Sequence, residues 1–91
     1  MKYKLVYKKK FKQGLKLAKK QGKNLKLIED IIKQLEYGQR LDAKHKQHKL
    51  VGNFKDCWEC HITPDWLLIW QQNDKELVLL FMDTGTYSDL F

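Results

Sequence analysis

Residues that can transfer protons occur close together in the middle of this 91-residue chain. Apolar residues alternate over 54–62, which predicts a strand whose polar face carries both Glu59 and His61. A carboxylate two residues from an imidazole on one face can hold and polarise it, as general acid–base catalysis requires. His48 precedes the predicted strand and Asp65 follows it at a turn, so both can approach the same face.

Cationic and aromatic residues accompany this group. Metal-free cleavage of RNA needs one group to take the 2′-hydroxyl proton, another to protonate the leaving 5′-oxygen, and cations to stabilise the phosphorane. Aromatic rings can stack on unpaired bases. The candidates are the acid–base groups His48, Glu59, His61 and Tyr87, the cations Lys46, Lys49 and Lys55, and the aromatic residues Trp66 and Phe91. The plainer interpretation is a solvated His48, a surface His61–Glu59 pair and a core Trp66.

Charge is divided unevenly along the chain. Residues 1–55 contain 17 of the 18 basic residues and four of the 11 acidic ones, whereas residues 56–91 contain one base and seven acids. The basic half attracts polyanions. Because Arg40 is the single arginine, we expect binding to phosphate backbones rather than base reading. A solvated lysine surface or an acidic partner protein would fit the same composition.

The segment from Cys57 to His61 matches the C-x-x-C-H pattern of c-type haem attachment. Strand alternation places Cys57 and Cys60 on opposite faces, which disfavours a shared haem, metal or disulfide. We expect Cys60 to be a small core residue and Cys57 a partly exposed thiol. A zinc site formed by His45, His48, Cys57 and His61 is an alternative without a standard ligand spacing.

Hydrophobic periodicity predicts two helices and four strands. The strands are expected over 3–7, 54–62, 66–71 and 77–82, and the helices over 8–21 and 25–37. Gly22 is expected to end the first helix and Asn24 to cap the second, while Gly14 weakens the first helix by about 1 kcal/mol relative to alanine. Turns at 64–65 and 72–75 predict an antiparallel meander, and residues 84–91 are expected to be a tail. The predicted fold is α+β, with the order β-α-α-β-β-β and a two-helix hairpin on one face of a four-stranded, mainly antiparallel sheet.

Composition excludes several classes of protein. Hydrophobic residues make up 43% of the chain, which is typical of a globular domain, and the length predicts one domain over 1–91. No stretch approaches the ~18 apolar residues of a membrane span, and no signal-peptide core is visible. We therefore expect a cytoplasmic protein rather than a membrane or extracellular one.

Three motifs resemble the YafQ branch of the RelE/ParE toxin superfamily, over essentially the whole chain and most strongly over 48–91. They are His48-Lys-Leu-Val-Gly52, Glu59-Cys-His61-Ile-Thr-Pro64-Asp65-Trp66, and Thr84-Gly85-Thr86-Tyr87-Ser-Asp-Leu90-Phe91. The resemblance implies a RelE-like fold and a type II toxin that cleaves mRNA, commonly on the ribosome. It also implies 2′-hydroxyl attack without a metal or other cofactor, leaving a 2′,3′-cyclic phosphate. The implied partners are mRNA, a cognate antitoxin, for which we expect an acidic toxin-binding segment, and operator DNA bound only as the toxin–antitoxin complex.

Carried over by position, the resemblance implies that His48 and His61 form the acid–base pair. Glu59 takes the place of a frequent acidic residue, Asp65 would organise the site, and Phe91 would position the substrate base. We add Lys46, Lys49, Lys55 and Trp66 as RNA-binding candidates.

The chain departs from the branch at two positions. Tyr87 stands where the branch usually has histidine, and a phenol with the ordinary pKa of ~10 is a poor base at neutral pH. Asp83 stands where arginine is frequent, so Arg40 or a lysine would have to supply that positive charge. Two other functions stay open: a toxin of the same fold that acts on a target such as gyrase, and a non-catalytic, basic RNA-binding module.

Overall fold

The computed structural model describes residues 2–54 and 56–91. The strands are β1 Lys4–Tyr7, β2 His48–Lys49, β3 Trp58–Thr63, β4 Trp66–Asn73 and β5 Val78–Gly85. The helices are α1 Lys9–Lys20, α2 Leu25–Glu36 and α3 Tyr87–Leu90, and 3₁₀ turns occupy Ala43–His45 and Gly52–Phe54. Among these described residues, no helix has the length and apolar content needed to cross a membrane.

The strands form one sheet in the order β1-β5-β4-β3-β2. β1 runs parallel to β5, and the other neighbours are antiparallel. The expected α+β class and the antiparallel meander are confirmed, but the sheet has five strands instead of four. The additional strand is β2, which is too short to show an alternating pattern in the sequence.

Both long helices begin and end where their sequence signals lie. After α1, Gly22 adopts φ +76°, and the Lys23 N–H donates to the Ala18 carbonyl at 3.0 Å, as in a Schellman motif. At the start of α2, the Asn24 side chain accepts a hydrogen bond from the Lys26 N–H at 3.1 Å. The predicted roles of Gly22 and Asn24 are therefore confirmed.

The helices cover one side of the sheet, here called the helix face. Its core combines apolar side chains of both helices with those of three strands: Phe11, Ala18, Ile28, Ile31, Leu35, Cys60, Ile62, Trp66, Leu68, Trp70, Leu79 and Phe81. The close contact of α1 with β5 explains why Gly14 stands inside the helix, because a Cβ there would overlap the carbonyl oxygen of Thr84. The missing side chain lets the helix lie directly on β5.

The opposite side of the sheet, here called the α3 face, has a smaller buried cluster. It consists of Cys57, Leu67, Ile69 and Leu90, with Leu50, Phe54 and Met82 packed around it. Cys57 and Cys60 do fall on opposite faces, and both are free thiols. The expected partial exposure of Cys57 is wrong, since the side chain is buried beneath α3.

Several predicted boundaries also differ. The strand predicted over 54–62 begins only at Trp58, because a 3₁₀ turn and a positive φ at Asp56 interrupt the alternating segment. The second hairpin turn lies over 74–77 rather than 72–75. The expected tail instead completes β5 through Gly85 and then forms α3.

Candidate active site

His48 and Glu59 face each other across the short pairing of β2 with β3. The His48 Nε2 lies 3.2 Å from the Glu59 Oε1. Glu59 is only 5% exposed, and in the described part of the chain its Oε2 accepts no hydrogen bond. A carboxylate withdrawn from water to this extent is stabilised by a positively charged partner. Histidine can provide that charge when both of its ring nitrogens carry a proton.

The other ring nitrogen of His48, Nδ1, also faces a hydrogen-bond acceptor. Nδ1 lies 2.6 Å from the backbone carbonyl of Lys46, which can only accept a hydrogen bond. A neutral ring carries one proton, and the Lys46 carbonyl places it on Nδ1. The unprotonated Nε2 would then face the Glu59 carboxylate, and both of these groups are acceptors. With Nδ1 donating to the Lys46 carbonyl, a doubly protonated His48 would donate from both nitrogens and direct its Nε2 proton at Glu59.

His61 lies two residues beyond Glu59 on the α3 face, opposite Leu67 of β4. Its Nδ1 is 3.2 Å from the Pro64 carbonyl, so the proton of the neutral ring belongs on Nδ1. The Nε2 is then left with a lone pair, and the ring is only half-buried. His61 can accept a proton where His48 can donate one.

Asp65 lies in the turn after β3 and stabilises it from within. Its Oδ1 accepts a hydrogen bond from the Thr63 hydroxyl at 3.0 Å. The same turn supplies the Pro64 carbonyl that fixes the tautomer of His61. Asp65 thus stabilises the turn that contacts His61, and its organising role in the site stays a prediction.

Tyr87 of α3 and Phe91, the residue that follows this helix, are two aromatic residues on the α3 face. A capping box fixes the start of α3: the Asp89 carboxylate accepts from the Thr86 N–H at 3.0 Å, and the Thr86 hydroxyl accepts from the Asp89 N–H at 3.3 Å. Hydrogen bonds to the Asp89 carboxylate, chiefly from the Thr86 backbone N–H and then from the Thr86 side chain, lower the pKa of Asp89 below its usual range. Leu90 anchors the helix in the cluster with Leu67, the cross-strand partner of His61.

The exposed edge of α3 forms an aromatic ridge made of Phe54, Tyr87 and Phe91. The Tyr87 and Phe91 ring centroids are 4.9 Å apart, and Phe91 meets Phe54 edge-on at 5.3 Å. Tyr87 is 69% exposed and Phe91 52% exposed. The sequence pattern gave no reason to include Phe54, which enters through the turn before β3.

Asp83 of β5 lies in the same cross-strand row as His48 and Glu59. Strand register places His48, Glu59, Ile69 and Asp83 in one row across four strands. Asp83 is buried, and its Oδ2 lies 3.3 Å from the Nζ of Lys10 on α1. The lysine that accompanies Asp83 is therefore Lys10, which the sequence could not distinguish from its neighbours.

The remaining RNA-binding candidates differ in position. Lys46 and Lys49 flank His48 and are exposed, and the Lys49 Nζ lies 5.4 Å from the Trp58 ring. Lys55 lies outside the described residues. The expectation that Trp66 stacks on an RNA base has to be corrected. Trp66 is 1% exposed and its Nε1–H donates to the Thr84 hydroxyl at 2.9 Å, so its ring offers no surface for a base.

The alternatives based on cysteine and histidine ligands find no support in the arrangement. Cys57 and Cys60 belong to separate clusters on the two sides of the sheet. Across residues 2–54 and 56–91, no group of three or more histidine, cysteine or acidic side chains is arranged to hold a metal ion. The four residues of the zinc alternative are therefore not gathered into a site.

Comparison with known proteins gives consistent matches along the chain. Residues 3–91 match the family described as bacterial toxin of type II toxin–antitoxin system, YafQ. The mRNA interferase toxin YafQ of Escherichia coli strain K12 is 34% identical over 88 residues, which cover 96% of this chain and 94% of that protein.

Solved structures agree with the family match. The crystal structure of YafQ from E. coli strain BL21(DE3) has a TM-score of 0.91 at 32% identity and covers 98% of both chains. A chain of the E. coli DinJ–YafQ toxin–antitoxin complex has a TM-score of 0.90 at 32% identity, covering 100% of this chain and 99% of that one.

Proposed function

Because this chain belongs to the YafQ family of bacterial toxins from type II toxin–antitoxin systems, we propose that it is an mRNA interferase neutralised by a cognate antitoxin. The observation that carries the proposal is that a proton donor on β2 and a proton acceptor on β3 lie on the same face of the sheet. His48 is held as a donor by Glu59, and His61 keeps a free Nε2.

The reaction begins at His61. Its Nε2 removes the proton from a ribose 2′-hydroxyl, and the 2′-oxygen forms a bond to the adjacent phosphorus. The bond from phosphorus to the 5′-oxygen breaks, and the His48 imidazolium donates its Nε2 proton to that leaving oxygen. The products are a 2′,3′-cyclic phosphate and a 5′-hydroxyl, and both histidines return to their starting states through exchange of one proton with solvent.

Glu59 and the nearby lysines supply the electrostatic part of catalysis. The buried Glu59 carboxylate keeps the proton on His48 until the leaving oxygen gains charge. Lys46 and Lys49 flank His48 and bind the phosphates on either side of the scissile bond. Cations close to the phosphorane stabilise its additional negative charge.

The aromatic ridge and the turn residue complete the proposed site. Phe91 and Tyr87 offer exposed rings on which an unpaired base can stack next to the cleaved bond. The exposed hydroxyl of Tyr87 is available to the phosphate as a hydrogen-bond donor. Asp65 maintains the turn whose Pro64 carbonyl orients His61.

The family match supports a proposal for the setting of the reaction. We place the protein in the cytoplasm, where translated mRNA is found, and treat residues 1–91 as one toxin domain, supported by the family match over 3–91. A net charge of +7 favours an antitoxin with an acidic toxin-binding segment. Operator DNA would be bound only by the toxin–antitoxin complex.

The decisive experiment is cleavage of a defined single-stranded RNA in EDTA, with and without translating ribosomes. Wild type should produce a 2′,3′-cyclic phosphate, and His61→Ala should lower the rate by about 10²- to 10⁴-fold with little change in thermal stability. Lys75→Ala, in the exposed turn before β5, is the control and should cleave like wild type.

Other outcomes identify the alternatives. Growth arrest without RNA cleavage in either condition would indicate a different target, for which gyrase inhibition is the next assay. Salt-dependent RNA binding without any cleavage would indicate a non-catalytic module. Full activity of His61→Ala would refute the assignment of the base.

A further inference from the structure

The outer edge of β3 has no strand partner next to His61, the proposed base, among the described residues. β2 pairs with β3 only at Glu59 and Trp58, and over the described ranges no strand accompanies this edge from Cys60 onward. The 3₁₀ turn Ala43–His45 packs there instead. A backbone carbonyl at an unpaired edge needs a partner from another element or from water. The group that meets the His61 carbonyl therefore affects how firmly the base is held.

His45 supplies that partner. Its Nδ1 lies 2.6 Å from the backbone carbonyl oxygen of His61, and because a carbonyl only accepts, Nδ1 carries the proton. The turn that presents the ring is itself fixed. Asp42 caps it by accepting from the Lys44 N–H at 3.0 Å, and Lys46 ends it in the left-handed conformation at φ 48°.

This contact is separate from the packing of the hydrophobic core. His45 is half-buried, and with Lys44 and His61 it lines a cavity of about 530 Å³ between α2 and the edge of β3. One side of the imidazole therefore faces open space. Replacing His45 would remove the hydrogen bond without emptying the core of the helix face.

We propose that His45 is a positioning residue for His61, holding by its Nδ1–H the strand segment from which the catalytic imidazole projects. The inference rests on the proposed function of His61 as the base. The direction of a strand side chain follows that of its own backbone, and misplacement by about 1 Å can cost on the order of 10²-fold in rate. His45 touches neither the reacting phosphate nor the attacking oxygen in this role.

Two substitutions of His45 separate positioning from packing. Asparagine places its amide nitrogen the same number of bonds from Cα as Nδ1, whereas glutamine places it one bond further, near the position of Nε2. His45→Asn therefore keeps the donor in place, and His45→Gln displaces it while preserving more of the side-chain volume. If the ring served only to fill space, glutamine would be the better replacement.

Saturation kinetics of RNA cleavage provide the first test. His45→Asn should keep kcat within about threefold of wild type, while His45→Gln and His45→Ala should lower it at least about tenfold, with KM changed less than about twofold. Thermal unfolding of the three variants should coincide to within a few degrees. Equal kcat values for asparagine and glutamine, or an effect on KM alone, would overturn the proposal.

Nuclear magnetic resonance gives a second readout that does not depend on cleavage. Long-range ¹H–¹⁵N spectra of the imidazoles should show His45 protonated on Nδ1, and His45→Gln should shift the ring and amide signals of His61 where His45→Asn leaves them in place. If wild type fails to cleave RNA, the proposed function fails and these spectra alone decide the positioning. Unchanged His61 signals in His45→Gln would then refute it.

Discussion

The helix face and the α3 face of the sheet bury different kinds of residue. The helix face encloses large apolar side chains such as Trp70, Phe81 and Phe11, sealed by two amphipathic helices. The α3 face shares a small apolar cluster with the buried carboxylates of Glu59 and Asp83. Because polar groups in a dry core must be fully paired, ionisable side chains are better accommodated under the thinner cover. We therefore expect the helix face to determine stability and the α3 face to carry the chemistry of the proposed site.

The largest expected effect is on the helix face. Phe81→Ala should lower the free energy of unfolding by about 3–5 kcal/mol, since it empties a fully buried site next to Phe11 of α1 and Tyr7 of β1. Phe91→Ala on the exposed ridge is the matched control and should cost less than about 1 kcal/mol. Urea unfolding measures both, and similar losses would break the contrast between the faces.

The next effect is catalytic and lies on the α3 face. Glu59→Gln replaces the carboxylate with an amide that can donate to the His48 Nε2, so the ring loses its second proton and kcat should fall about 100-fold. Stability should stay equal or rise, because the negative charge of a buried carboxylate with one unpartnered oxygen is removed. Single-turnover cleavage and urea unfolding test this, with the exposed Glu76→Gln as control. Unimpaired cleavage would show that Glu59 has no part in the reaction.

A smaller effect is expected at the aromatic ridge. Phe91→Leu removes a stacking surface and should weaken RNA binding about tenfold with kcat unchanged. Tyr87→Phe keeps its ring and should bind RNA like wild type, so any fall in its kcat would report on the hydroxyl alone. Fluorescence anisotropy with a single-stranded RNA measures the affinities. Equal binding by Phe91→Leu and wild type would remove the ridge from the site.

The smallest effect separates the two thiols. Burial raises the pKa of Cys60 on the helix face to about 12 and also raises that of Cys57 on the α3 face above its ordinary 9.0. Both should therefore react slowly with iodoacetamide at pH 8, and Cys57 should react first because local opening of α3 uncovers it. These raised values favour the folded state below pH 9 and lose that effect as pH rises further. Mass spectrometry identifies the labelled site, and earlier labelling of Cys60 would contradict the order.

The sequence predicts those helices and strands whose signals lie within their own residues. The helices have full apolar stripes and their own caps at Asn24 and Gly22, and β3 to β5 have continuous alternation or apolar runs. Burial could not be predicted for single side chains at the ends of such runs. The sequence predicts more exposure for Trp66 and Cys57 than these side chains have. Their burial depends on elements that pack over them in the tertiary structure.

The candidate site is predictable in its residue types but not in its pairings. The spacing of Glu59 and His61 places both on one face, whereas the contact of His48 with Glu59 depends on the two-residue strand β2. The roles of Lys10 and His45 arise from contacts over long stretches of chain. A run of similar lysines or a loop histidine carries no local sign of such a contact.

The close approach of α1 to β5 at Gly14 has a consequence for protein engineering. Exchanging a mid-helix glycine for alanine is a common route to thermostability, usually worth up to about 1 kcal/mol. At this position a methyl group would meet the Thr84 backbone rather than a flexible side chain. Thr84 connects Asp83 to Gly85, so the strand displaced by that methyl group is the one that leads into α3. Gly14→Ala, the most obvious helix-strengthening substitution, would therefore be selected against in a stability screen of this protein.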